Sequence, residues 1–94
     1  MAMLDKVKIA LRISALTTTF DTEVQDLIDA AKADLELSGV KVIVETDVLV
    51  IRAINTYCKA NFGWDNPEAE RLQKAYDSIK AHLSSSADYN TEAE

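Results

Sequence analysis

Thr46-Asp-Val-Leu-Val-Ile-Arg-Ala-Ile-Asn-Thr-Tyr-Cys-Lys-Ala-Asn-Phe62 is the stretch on which the fold turns. Val48, Leu49, Val50, Ile51, Ala53, Ile54, Tyr57, Cys58 and Phe62 leave only a narrow polar edge, formed by Arg52, Asn55 and Lys59. A helix apolar nearly all round is buried on most sides. The segment therefore predicts a central helix, begun by Thr46 and Asp47, against which the other elements pack. Cys58 lies among these apolar positions and reads as a small buried hydrophobe rather than a reactive thiol.

Working outward toward the N-terminus, Lys41-Val-Ile-Val-Glu45 has β-branched residues and no helical period, so it predicts an extended connector. Its Val42, Ile43 and Val44 must either fold onto the core or meet another chain. Before it, Asp21 to Leu35 carries Val24, Leu27, Ile28, Ala31 and Leu35 on one stripe, the clearest amphipathic helix in the chain. Asp21 is placed to cap that helix, Glu23 suits its first turn, and Gly39 is placed to end it in a left-handed conformation. Ser14 to Thr19 is a poor helix and a good connector. Residues 3–13 place Leu4, Val7 and Leu11 at helical spacing, with Lys6 and Lys8 expected outside.

Toward the C-terminus, Phe62-Gly-Trp-Asp-Asn-Pro67 reads as a tight break, with Gly63 left-handed, Asn66 an N-cap and Pro67 the first helical residue. Trp64 in that break is either a lid on the core or an anchor for a partner. A further helix carries Ala69, Leu72, Tyr76, Ile79 and Leu83 on one face and ends near Ser84. The sequence thus predicts an all-α bundle of about four helices, residues 1–84, with an extended connector between the second and third. Residues 85–94 are polar and acidic around a lone Tyr89 and predict a flexible tail.

Composition narrows the function. Ninety-four residues suit one core, and two Gly with one Pro are too few turn residues for an all-β fold. Sixteen acids against ten bases give a net charge of −6, which repels phosphate backbones at long range. One cysteine makes no intrachain disulfide, and with the single His82 it cannot complete a four-ligand zinc site, so neither metal nor other cofactor is expected. No apolar run is long enough to cross a bilayer and no signal pattern opens the chain, so a cytoplasmic protein without membrane contact is expected. His82 is a surface residue near a helix end, and the Asp26, Asp29 and Asp34 carboxylates lie on helix surfaces rather than in a recognisable cleft. No catalytic set is brought together, and the chain does not read as an enzyme.

Three phrases carry a resemblance. They are Asp21-Thr-Glu-Val-Gln-Asp-Leu-Ile-Asp-Ala-Ala-Lys-Ala-Asp-Leu35, Ile51-Arg-Ala-Ile-Asn-Thr-Tyr-Cys-Lys-Ala-Asn-Phe-Gly63 and Asp65-Asn-Pro-Glu-Ala-Glu-Arg-Leu-Gln-Lys-Ala-Tyr-Asp-Ser-Ile-Lys80. In order and wording they resemble the small head-tail connector proteins of long-tailed bacteriophages, also called DNA-packaging or head-completion adaptors. The third phrase is the most distinctive. The resemblance implies a structural virion protein that assembles in host cytoplasm as a ring, typically of twelve copies, beneath the portal. The ring would extend the DNA channel, let DNA pass without sequence-specific binding, and dock tail or head-completion proteins. It supplies no catalytic residues. Two features are compatible with such a role: apolar connector residues suited to a heterologous contact, and acidity that lets DNA slide past.

On this basis Val42, Ile43, Val44, Trp64 and Tyr89 are the expected subunit or partner contacts, with residues 84–94 ordering on assembly. The rival reading is a small acidic prophage-encoded regulatory module that occupies a host target. Against it, Lys and Arg are interleaved on the third and fourth helices, which dilutes a single-sign acidic field.

Overall fold

In the computed structural model, which describes residues 3–63, 66–86 and 89, Asp47 caps the central helix in the way its sequence implies. Its Oδ1 accepts from the amides of Leu49 at 2.9 Å and Val50 at 3.2 Å, satisfying two donors that helix geometry leaves orphaned. The helices are α1 (Met3–Ala10), α2 (Asp21–Leu37), α3 (Val48–Asn61) and α4 (Ala69–Ser85), and no strand occurs among the described residues. The fold is an all-α bundle. Helix α3 packs against all three others, and Val50, Ala53, Ile54 and Cys58 on it are wholly buried. Val24, Ile28, Ala31 and Leu35 of α2, Val7 of α1 and Tyr76 and Leu83 of α4 complete the core.

Helix α2 ends as read. Gly39 has φ +99°, its amide donates to Glu36 O at 3.0 Å, and the amide of Val40 reaches back to Leu35 O at 3.0 Å. This is a Schellman motif, and its accompanying apolar contact is made by Leu35 and Val40, both wholly buried. Helix α1 ends by the same device three residues before the expected Ile13. The amides of Arg12 and Ile13 donate to Ile9 O and Lys8 O, with Arg12 itself left-handed at φ +64°. A non-glycine residue there is uncommon, which is why the stop could not be read.

Three further local readings need correction. Lys8 was expected outside but is only 4% exposed. Its stem lies under the loop that follows α1, and its ammonium donates to Thr17 O at 2.6 Å and ion-pairs with Asp21 Oδ1 at 2.8 Å. Asp21 accordingly does not cap α2. It is the first residue of the helix, Phe20 holds the cap position without a side-chain bond, and the carboxylate serves as counter-ion to the buried ammonium. Asn66 likewise does not begin α4. Its Oδ1 accepts from Glu68 N at 3.0 Å and its amide donates to Lys59 O at 2.6 Å, so residues 66–68 form a turn tied to α3 and the helix starts at Ala69.

Candidate functional site

Two places could meet a partner: the connector between α2 and α3, and the seam between α3 and α4. In the connector, Val40 is wholly buried, Ile43 packs on the core, Val42 is half-buried and Val44 is exposed. Folding onto the core thus accounts for most of the apolar connector surface and leaves Val44 open. Tyr89, from the expected tail, joins this region. Its carbonyl accepts from the amides of Lys41 at 2.7 Å and Val42 at 2.9 Å, and its hydroxyl donates to Asp47 Oδ2 at 2.9 Å. Tyr89 is therefore held against the connector, where a backbone that lacks strand partners finds some of its hydrogen bonds. Burial disfavours ionisation of Asp47, but the amides of Val50 and Leu49 and the Tyr89 hydroxyl together hold its carboxyl below the ordinary range. Trp64 lies outside the described residues.

The α3–α4 seam is different in kind. The polar edge expected on α3, Arg52, Asn55 and Lys59, forms one wall of a cleft of about 560 Å³ whose other wall is Arg71, Leu72 and Ile79 of α4. Among the described residues no carboxylate lines it. Toward the C-terminal end of α3 an adjoining cleft shares Lys59, Arg71 and Leu72 and reaches Arg12, and among the described residues Glu68 is the one acid that lines it. Arg71 pairs with Glu68, whereas Arg12, Arg52 and Lys59 make no ion pair among the described residues. A protein with a surplus of six negative charges thus has a cleft in which, among the described residues, Arg52 and Lys59 have no acidic partner. At its floor Asn55 Oδ1 is buried with no hydrogen-bond partner, an arrangement that costs about 1–3 kcal/mol.

On the other flank of α4, polar groups close rather than open the packing. Tyr76 donates its hydroxyl to Asp34 Oδ2 of α2 at 2.6 Å, and Lys80 reaches the same oxygen at 3.1 Å while its ammonium sits 5.2 Å from the Tyr76 ring centre. The Tyr76 bond, followed by Lys80, holds the Asp34 carboxyl below its ordinary range against the opposing effect of burial. Burial and Asp34 in turn raise the Tyr76 phenol. Tyr57 packs edge-on to Tyr76 with ring centres 5.1 Å apart. Asp34 was expected to be one of several solvated acids. Its role as clasp depends on a residue 42 positions away, a pairing no local pattern signals.

Cys58 is buried and its thiol is pushed up to about 12 by desolvation, as befits an inert core residue. His82 is exposed in the last turn of α4. Among the described residues no group of His, Cys, Asp and Glu is arranged to hold a metal, and no helix is long and apolar enough to cross a membrane. The surfaces on offer are contact surfaces.

Comparison with known proteins gives one match. The family model described as "Phage connector protein" fits residues 3–90, from the first turn of α1 to the residue after Tyr89. No curated protein and no solved structure matches the chain.

Proposed function

Because the chain belongs to the phage connector family, whose members are structural components of the virion and not enzymes, we propose that it is a head-tail connector that assembles as a ring beneath the portal. In this role the ring extends the channel through which DNA leaves the head and offers its outer surface to tail or head-completion proteins. The observation that carries the reading is the extent of the family match, which takes in all four helices and both candidate contact regions.

The structure supports the reading through what it leaves unsatisfied. A monomer with no partner has little reason to keep Leu37 89% exposed and Val48 78% exposed, or to line a cleft with Arg52 and Lys59, which have no ion pair among the described residues. Val44, the open part of the connector, with Tyr89 beside it, is the proposed contact to the portal or a neighbouring copy. Assembly takes place in the host cytoplasm, before the tail joins.

The test is the mass of the full chain by light scattering over a wide concentration range, alone and mixed with the portal of the same phage. A ring-sized species, free or on the portal, is the expected result, and a monomer indifferent to the portal refutes the reading. Val44→Asp should weaken portal binding while the helical circular dichroism is unchanged, since the side chain lies outside the core. Undiminished binding removes Val44 from the contact.

A further inference from the structure

The outward face of α2 and the open edge of α3 carry matching patterns. On α2, Asp26, Ala30, Ala33 and Leu37 stand at relative positions 0, 4, 7 and 11, and all four are exposed. On α3, Val48, Arg52, Asn55 and Lys59, which line the cleft, stand at the same relative positions. Each set forms one stripe about 16.5 Å long, from the rise of 1.5 Å per residue. Run antiparallel, the two stripes put Leu37 against Val48, Ala33 beside Arg52, Ala30 beside Asn55 and Asp26 against Lys59. Both ends are complementary: the two most exposed apolar residues of these helices meet at one end, and opposite charges meet at the other.

The remaining charges fall in place around that register. Asp29 and Glu36, both exposed, lie on α2 one helical turn to either side of the Ala33 that faces Arg52. A long guanidinium reaches either of them. Arg71, which pairs with Glu68 of its own chain, adds positive charge on the opposite wall of the cleft. The small side chains of Ala30 and Ala33 let one helix ridge approach closely where the cleft is lined by larger groups. Asp26 and Glu36 make no ion pair with described residues of their own chain, just as Arg52 and Lys59 do not.

Within one molecule the two stripes cannot meet, because α2 packs on α3 through the opposite, buried side that carries Ile28 and Leu35. We infer that the α3–α4 cleft receives the α2 outer face of a second copy of this chain. The two surfaces differ, so the contact is heterologous, and repetition of it carries the chain around a ring rather than closing a dimer. This assignment rests on the connector reading above and adds to it which surfaces meet and in which register. It also gives the basic cleft an occupant other than DNA: the carboxylates of the neighbour neutralise it, leaving the assembly acidic.

Charge reversal tests it. Lys59→Glu and Asp26→Lys should each raise the concentration needed for half-assembly, free or on the portal, by about tenfold or more, since close interfacial charge pairs couple strongly. The double variant Asp26→Lys/Lys59→Glu rebuilds the pair with its sign exchanged, and it should return assembly to within about threefold of the parent chain. Both substitutions are on exposed positions, so the thermal melts of all three variants should coincide and separate assembly from folding. Rings that form equally well from the single variants, or a double variant no better than either, overturn the assignment while leaving the connector function standing. A parent chain that assembles neither alone nor on the portal defeats the connector reading itself. If instead a 20-base-pair duplex binds the parent chain and Lys59→Glu abolishes that binding without changing assembly, the cleft is a DNA contact and the assignment is wrong.

Discussion

Helix α4 has two polar flanks, and they differ in whether the chain satisfies them. Toward α2, Tyr76, Asp34 and Lys80 form a closed clasp in which each polar group finds a partner. Toward α3, Arg71 faces Arg52, Asn55 and Lys59 across an open cleft in which cations and a buried acceptor go unpaired. What separates them is a carboxylate: one aspartate at the α2 seam ties a tyrosine and a lysine into a fold-holding network, whereas among the described residues none lines the main cleft at the α3 seam.

The closed flank should fail largest. Tyr76 is wholly buried, and Tyr76→Ala removes an aromatic from the core together with the clasp, so it should cost about 3–5 kcal/mol in chemical denaturation. Tyr76→Phe keeps the ring and its edge-on contact with Tyr57 and should cost only about 1 kcal/mol. Equal losses in the two variants would mean that the hydroxyl, and not the ring, carries the seam.

Next in size is Asp34→Ala, which should cost about 1–3 kcal/mol because it leaves the Tyr76 hydroxyl buried without its acceptor. Acid should reproduce part of that loss. The folded chain holds the Asp34 and Asp47 carboxyls below their ordinary value of 3.8, so the unfolded chain takes up protons first as pH falls. Their contribution is present above that value and is lost as pH drops through the lower folded values. At the alkaline end the sign reverses. Cys58 is raised from 9.0 to about 12, so the unfolded chain ionises first and stability declines as pH rises through that window. Urea midpoints measured across the range should show both limbs, and Asp34→Ala should flatten the acid one.

How far these flanks could be read from the sequence follows the same division. The open flank was half legible: the apolar run of α3 left Arg52, Asn55 and Lys59 as a visible wet edge, because a period of 3.6 residues can be counted without knowing any neighbour. The wall supplied by Arg71 could not be placed without knowing how α4 leans on α3. The closed flank was illegible, since Asp34 and Tyr76 are 42 residues apart and a surface aspartate looks the same in sequence whether or not a tyrosine finds it. Buried Lys8 escaped for a like reason, its counter-ion Asp21 lying across a loop. Caps divide by residue type. Asp47 and Gly39 are the usual residues for their positions and were found, while Arg12 performs a glycine's task and was not. Among the expected contact residues, Val44 stays open, Ile43 is drawn into the core and Tyr89 is held by the connector, a split that depends on where the backbone of residue 89 lies.

The open flank should give the smallest response in the isolated chain. Arg52 is exposed, makes no ion pair among the described residues, and points its charge into a cleft already crowded with like charge. Arg52→Ala loses some contact of the side-chain stem with the cleft wall and relieves some repulsion from Lys59 and Arg71, and the two effects oppose each other. Its thermal unfolding should therefore shift by no more than the equivalent of about 0.5 kcal/mol, and raising the salt concentration, which screens the repulsion in the parent chain, should leave the lost stem contact unopposed and lower the variant's midpoint relative to the parent. A loss as large as that of Asp34→Ala would show that the cleft is braced from within and would erase the distinction between the two flanks. A small loss in folding together with a large one in assembly is what an interface held in reserve requires.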